Sequence, residues 1–528
     1  MNIIDILLYH APALIVATPL LGAFLTPLVS KISGTVRNIF VILTVLGTCS
    51  LVFLLAYDIF TNGNINTYVF GSKDLTLPVV RILFEVDAMS IFMAIISVIL
   101  AIVAVLYSWS FMKENTGLDK YYTLFLLMLA GMLGMELTGD IFNFFVFLEI
   151  TSIASCALIA FWTNKAKAVE AGFKYIVIST IGALFVLFAI AILYGEYDAL
   201  NIAVLANSIQ QFTFVNKIAF VLLIFALAMK AGIVPMHMWL PDAYSGAPSS
   251  ISIVLVAVTQ ASLYGVFRVC FTLYGNVISL PQVSIGWIII LLALITILVG
   301  VVMAIIQSDL KRLIAFGAVA EIGYMFLGIG SGLAVISGTE MATAGTEMAT
   351  AGFNAMKGGI FHIINDALDV GLLFLIAGSV YLVTKETSID KLGGLARNMK
   401  YTTVFFIIGL LAISGIPPMN GFASKLLIYE STYQLNPILA VVAILSSIML
   451  LAVFVKIFYS VFLGPELPQF KDVKECPRSM LLAMSIIACI IIFFGLFPDL
   501  IISNIVEPAT NALINYQDYI SQVLTGGL

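Results

Sequence analysis

Apolar residues run through this chain in long blocks broken by short polar connections, with little of the strict alternation that marks strands. Blocks long enough to cross roughly 30 Å of hydrocarbon as helices fall near 12–30, 36–58, 82–110, 121–138, 141–162, 171–194, 217–236, 249–274, 284–307, 312–333, 355–383, 401–433, 437–463 and 479–505. The pattern predicts an all-α polytopic membrane protein of about 14 transmembrane helices. Composition agrees: 62% of the 528 residues are hydrophobic, 10% are charged, and mean hydropathy is +1.12. A soluble core would leave most of that apolar surface without a partner.

Charge adds orientation. With both termini outside the cytoplasm, sixteen lysines and arginines fall on cytoplasmic connections, among them Lys31, Lys113, Lys165, Lys174, Lys311, Arg312, Lys391 and Arg478. The opposite loops hold only Lys73, Arg81 and Lys217, the bias that sets topology in a cell (cytoplasmic or inner) membrane. No short charged start with a small-residue cleavage site appears, so Met1 onward reads as mature protein and the first span as an anchor. Five cysteines lack ligand spacing, and Cys49, Cys156, Cys270 and Cys489 sit in apolar runs. They read as buried packing residues rather than a metal, iron–sulfur or disulfide framework. Phosphate-cradling and nucleophile-elbow motifs are missing from any suitable context, so no nucleotide chemistry, covalent catalysis or other catalytic centre is expected in the chain.

Two spans are interrupted alike. Gly232–Met236 reads GIVPM and Gly415–Met419 reads GIPPM, 183 residues apart. Proline deletes a backbone donor and clashes with the preceding turn, and glycine loosens the helix further. Breaks are therefore expected at Gly232 and Pro235 and at Gly415, Pro417 and Pro418. Unwound backbone at membrane depth must face protein or water, and matched breaks in two halves are the sequence mark of inverted repeats. The predicted organisation is residues 1–120 for helices 1–3, 121–274 for the first repeat (helices 4–8), 284–463 for the second (helices 9–13), and 464–528 for helix 14 and the tail. Five helices per unit force the second copy to insert upside down.

Each break has a lysine nearby, Lys230 five residues before Pro235 and Lys425 seven after Pro418. Exposed carbonyls and water at an unwound turn hydrate an ammonium that hydrocarbon would reject, and such a lysine can load and release protons. Arg268, Lys357 and Lys456 lie nearer helix ends, where the plain expectation is snorkelling toward headgroups. Asp87, Glu136, Glu149, Glu321, His362, Asp366, Asp369 and Glu430 also fall in apolar runs. A charge at the bilayer centre costs at least about 2.5 kcal/mol, so these residues argue for a polar interior path. Glu149 is expected to pair with Lys230 as a charge switch, and an ion pair that only fixes helix packing is the plain alternative. His362, Asp366 and Asp369 form an i, i+4, i+7 stripe suited to a hydrogen-bonded file or to interhelical glue. His237, just past the first break, is expected either to cap the unwound segment or to carry protons.

At these residues the sequence resembles the antiporter-like, proton-translocating subunit family: large membrane subunits of Mrp-type sodium/proton antiporters, of respiratory complex I, and of membrane-bound hydrogenases. The stretches are FVFLEITSIAS, KAGIVPMHMWLPDAYSGAPSSIS, QSDLKRLIAFGAVAEIGYMFLGIG, FHIINDALDVGLLFLIAG and GIPPMNGFASKLLI, spanning about Tyr121 to Leu463. The resemblance implies fourteen spans, two inverted five-helix bundles with broken helices, and a hydrophilic axis. It also implies a Glu149–Lys230 pair in the first half-channel and Lys425 as the terminal lysine of the second. Ion translocation is thus assigned to Glu149, Lys230, His362, Asp366 and Lys425, with Glu321, Asp369, Gln260 and His237 as relay candidates. Four positions depart from the family pattern. Gln260 stands where many members have lysine, Asp366 and Val370 stand where histidine and lysine are common, and Glu321 replaces His or Gln. The relay is more acidic than usual.

The function implied is proton, or cation/proton, translocation within a multi-subunit complex whose partners are hydrophobic membrane subunits. A peripheral redox arm would carry any iron–sulfur or nickel–iron centres, and this chain would carry no cofactor. The alternatives are a mainly structural subunit with decayed conduction and a stand-alone solute carrier. The loop repeating Thr339–Gly345 as Thr346–Gly352 reads as slippage in a tolerant segment, and the basic Lys385–Lys400 connection suits a partner surface or lipid headgroups.

Overall fold

A computed structural model describes residues 3–70, 82–277, 282–335 and 347–526. Lys73, Arg81 and the first part of the 339–352 duplication lie outside the described residues. The chain is a multi-pass helical membrane protein. Thirteen described helices are long and apolar enough to span a membrane. A fourteenth crossing is made by two short helices in series, Lys400–Ile413 and Asn420–Leu435, each too short to cross alone.

Three helices come first: α1 (Ile3–Ser30), α2 (Gly34–Asn62) and α3 (Ala88–Phe111), with a hairpin of β1 (Asn66–Phe70) and β2 (Ile82–Val86) between α2 and α3. The apolar block expected from residue 82 therefore starts as a strand. Asp87 ends that strand and accepts from Ser90 N at 2.8 Å, so it is the N-cap of α3 rather than a charge in mid-span. The first repeat follows as α4 (Leu118–Leu137), α5 (Ile141–Ile159), α6 (Ala166–Tyr197), the short α7 (Ile202–Ser208), α8 (Phe214–Ala231), α9 (Trp239–Gly246) and α10 (Ser249–Phe267). The seventh span is α8 and α9 in series, and it ends ten residues beyond the apolar block. The second repeat is α11 (Gln282–Ile305), α12 (Leu310–Val335), the 38-residue α13 (Glu347–Thr384), α14 (Lys400–Ile413), α15 (Asn420–Leu435) and α16 (Pro437–Ile457). α17 (Arg478–Leu496) stops before Pro498, and the chain ends in short segments: α18 (Pro498–Ile501), α19 (Glu507–Ile514) and α20 (Tyr516–Gly526).

Small features recur at matched places. Asp140 precedes α5, accepts from Asn143 N at 2.7 Å and bridges to Asn201. Asp309 precedes α12, accepts from Arg312 N at 3.0 Å and bridges to Ser388. At the breaks, Gly232 (φ 85°) and Gly415 (φ 67°) take the left-handed conformation that glycine adopts without strain. The Val234–Pro235 and Pro417–Pro418 bonds are both cis. Five spans separate each feature from its copy, so the copies face opposite sides of the membrane.

Burial follows the same plan. Every residue of α10 and nearly every residue of α12 is buried, while α1, α2, α6 and α16 expose large apolar side chains such as Leu21, Phe24, Tyr57, Phe173, Phe188 and Ile438. Apolar exposure on the perimeter suits contact with lipid. Polar residues are instead drawn to the centre.

Candidate ion-translocation site

The first break ends α8 one residue after Lys230, whose side chain turns into the protein. Its ammonium donates to Ser152 Oγ on α5 (2.7 Å) and Ser179 Oγ on α6 (2.8 Å), and the two serines are 3.0 Å apart. Among the described residues no carboxylate comes within ion-pair distance of Lys230. Glu149 lies one turn before Ser152, half-buried, and its Oε1 accepts no hydrogen bond. It still acts on Lys230 through space, but the direct pair expected from the sequence is replaced by two hydroxyls. The reason is geometric: Glu149 lies three residues, about one helical turn, before Ser152, and it is Ser152 that meets the ammonium.

The second break carries a charged version of the same arrangement. Lys425 Nζ donates to Glu321 Oε1 (2.8 Å) and to the carbonyl of Ile413 (2.7 Å), and it lies 4.5 Å from the Tyr324 ring centre. Glu321 Oε2 bonds His362 Nε2 at 2.7 Å, and His362 Nδ1 meets Ser424 Oγ at 3.0 Å. The offset that carries Asp140 onto Asp309 also carries Ser152 onto Glu321, and the offset that carries Gly232 onto Gly415 also carries Ser179 onto His362. The same offset takes Lys230 to Ile413, so the second lysine has moved across its break and reaches back to the vacated position. Each repeat thus places one residue of its second helix, one of its third and one lysine of its broken helix in one hydrogen-bonded set. In the first the set is Ser152, Ser179 and Lys230; in the second it is Glu321, His362 and Lys425.

α10 is the wall between the sets. Ser262 lines the Lys230 pocket, while Gln260, two residues earlier and so on the opposite side, donates to Asp366 Oδ2 (2.9 Å) and to the Ile363 carbonyl (3.0 Å). Asp369 is buried against Gly421 at the start of α15. His362, Asp366 and Asp369 therefore do share one stripe, but the bonded partners of His362 and Asp366 lie on other helices rather than along the stripe. His237 is buried beside the first break with Nδ1 unbonded. Glu136 is buried and accepts from Ser97 at 2.6 Å.

Several expectations are corrected. Arg268 does not snorkel: it is buried, ion-paired to Asp87 and bonded to Tyr264 OH (2.8 Å) and Ser90 Oγ (2.9 Å). Glu430 faces outward, away from any interior path. Lys311, assigned to a surface connection, is buried and donates to the Ala247 carbonyl at 2.5 Å. Cys270 is buried, but Cys489 is exposed on α17. Two contacts had no local sequence signal, the Glu321–Lys425 pair and the Ser152–Ser179 seat. Both join residues far apart in sequence, and only the repeat offset could have found them.

The helix count, paired breaks and buried charge define a class: a polytopic ion-handling membrane subunit built from inverted repeats. A family profile described as "NADH:quinone oxidoreductase/Mrp antiporter, TM" matches residues 138–344 and 333–450. NADH-quinone oxidoreductase subunit N of Desulforudis audaxviator is 30% identical over 521 residues, covering 95% of this chain and 98% of that protein. The protein belongs to this NADH:quinone oxidoreductase/Mrp antiporter family and is an antiporter-like membrane subunit. A chain of the membrane-bound sulfane sulfur reductase, an archaeal respiratory membrane complex, matches at a TM-score of 0.84 and 27% identity over 97% of this chain and all of that one. A chain of the Mrp complex from Dietzia sp. DQ12-45-1b has the same fold, at a TM-score of 0.84 and 24% identity over 99% and 100% of the two chains. These structural neighbours are members of multi-subunit membrane complexes.

Proposed function

We propose that this subunit carries protons across the cell membrane in two half-channels, one centred on Lys230 and one on Lys425, within a larger complex of hydrophobic membrane subunits. The observation that carries this reading is the pair of equivalent buried contacts, neutral in one repeat and ionic in the other. Ammonium groups this deep are expensive, and each is held at a break where carbonyls and hydroxyls replace its water. Lys230, seated on two neutral hydroxyls, can give up its proton without stranding a partner charge, whereas Lys425 donates directly to the Glu321 carboxylate. Loss of the Lys230 proton would free the field of Glu149, and the change would pass across α10 through Gln260 and Asp366 to the Glu321–His362–Lys425 set.

The sixteen-to-three distribution of basic residues favours termini outside the cytoplasm. Driving force would come from partners, a redox arm or a coupled cation flux. The test is driven proton uptake by the complex in liposomes. Lys230→Ala and Lys425→Ala should each abolish it, and full retention in both would leave the structural-subunit alternative standing. Co-purified iron–sulfur or nickel-bearing partners would assign a respiratory complex, small hydrophobic partners alone an antiporter.

A further inference from the structure

Two small cavities share Met135, near the end of α4, in their walls. One, about 10 Å³, holds the Lys230 seat, with Ser152, Ser179, Ser262 and Tyr175 in its wall. The other, about 40 Å³, continues to Tyr264 and Arg268 between apolar walls that include Ile190, Leu227 and Val269. Met135 lines both and is itself buried, its Sδ 3.9 Å from Thr151 Oγ1. A cavity of roughly 15 Å³ or more can hold a water, but one with apolar walls stays dry. The larger cavity therefore has room for water and little to bind it.

Past Arg268 the character changes. Its guanidinium pairs with Asp87, whose buried Oδ2 accepts no hydrogen bond, and packs on the Tyr519 ring of α20 at 5.1 Å. The Tyr519 hydroxyl donates to Glu85 Oε2 on β2, and Glu85 Oε1 accepts from Asn201 at 2.5 Å. Burial pushes the Glu85 carboxyl up to about 7, against the opposing pull of Tyr519, Asn201 and Arg268, with Asp140 adding a smaller push upward. Glu85 is thus an acceptor suited to neutral pH, on the hairpin side of the molecule.

We propose that the 40 Å³ cavity is the release passage of the Lys230 half-channel, with Met135 as its hydrophobic plug and the Arg268–Asp87–Tyr519–Glu85 cluster as its far end. This rests on the proton-carrying reading above. Dry constrictions of this kind block ions until they wet. When Met135 swings aside, water can join the Lys230 seat to Asp87 Oδ2, and a proton leaving the ammonium passes along it to Glu85.

The experiment uses the complex in liposomes with an imposed pH gradient, no driving reaction, and an internal pH dye. Met135→Gln, nearly isosteric but polar, should raise passive proton leak by about tenfold or more, because a wetted constriction conducts, while Met135→Leu stays at the wild-type level. Adding Glu85→Gln to Met135→Gln should cut the leak several-fold. If Met135→Gln fails to assemble, Val269→Thr hydroxylates the same cavity wall and should leak likewise. A Met135→Gln or Val269→Thr complex as tight as Met135→Leu, while Lys230→Ala still abolishes driven transport, overturns the passage and leaves the proposed function intact. Driven transport that survives Lys230→Ala overturns both.

Discussion

The two repeats share a backbone plan and differ in charge. Ser152, Ser179 and Lys230 form a seat with one ionisable member; Glu321, His362 and Lys425 form one with three. Glycines of positive φ, proline breaks and helix-capping aspartates recur in both halves. Geometry has therefore been kept while electrostatics has diverged. The Lys230 ammonium donates only to hydroxyls, whereas the Lys425 ammonium donates to a carboxylate that His362 also bonds. On the proposed function, the first seat would be the one that switches and the second the one that holds.

Removing the holder should have the largest effect. Lys425→Ala leaves Glu321 buried without its cation and should destabilise the protein by about 3–5 kcal/mol, read as a lowered melting temperature in detergent. Adding Glu321→Gln should recover a good part of that loss, since it removes the stranded charge. Lys230→Ala strands no bonded charge, so its stability cost should be about 1–2 kcal/mol while driven transport is lost as fully as in Lys425→Ala. Equal melting losses for the two lysines would break the comparison.

Ser152→Glu sharpens it, by giving the first seat the carboxylate that Glu321 supplies to the second. The pair should hold Lys230 charged and slow turnover by about tenfold, the equivalent of about 1.4 kcal/mol, with little change in melting temperature. Unchanged turnover would mean that the neutral seat is not what lets Lys230 switch.

The smallest expected effect concerns the first repeat's hairpin side. Glu85 titrates near 7 when folded and near 4.5 when exposed, so the folded chain binds the proton more tightly between those values. Stability of this region is complete below the unfolded value and declines as pH rises through about 7. Hydrogen exchange in α20 should accelerate from pH 5 to pH 8 by more than the chemical rate, and Glu85→Gln should flatten the excess. A faster excess at low pH would reverse the assigned sign.

Much of this was legible in the chain. Span number follows from hydrophobic blocks, because hydrocarbon thickness fixes helix length. The breaks follow from GIVPM and GIPPM, because proline and glycine act on the backbone locally. The strand before Asp87 is not legible, since a short buried strand and a helix end look alike in composition. Nearness to a helix end says nothing of what packs there, and the partner that keeps Arg268 inside, Asp87, lies 181 residues away.

By itself, then, the sequence determined the membrane class, the span pattern, the two breaks and the roster of buried ionisable residues, all set by local chemistry and the thickness of a bilayer. Only the tertiary structure decided who bonds whom: Lys230 to serines, Lys425 to Glu321, Arg268 to Asp87. Those choices depend on side-chain register between helices, and at buried positions one turn of helix, about 5.4 Å, separates an ion pair from a bystander.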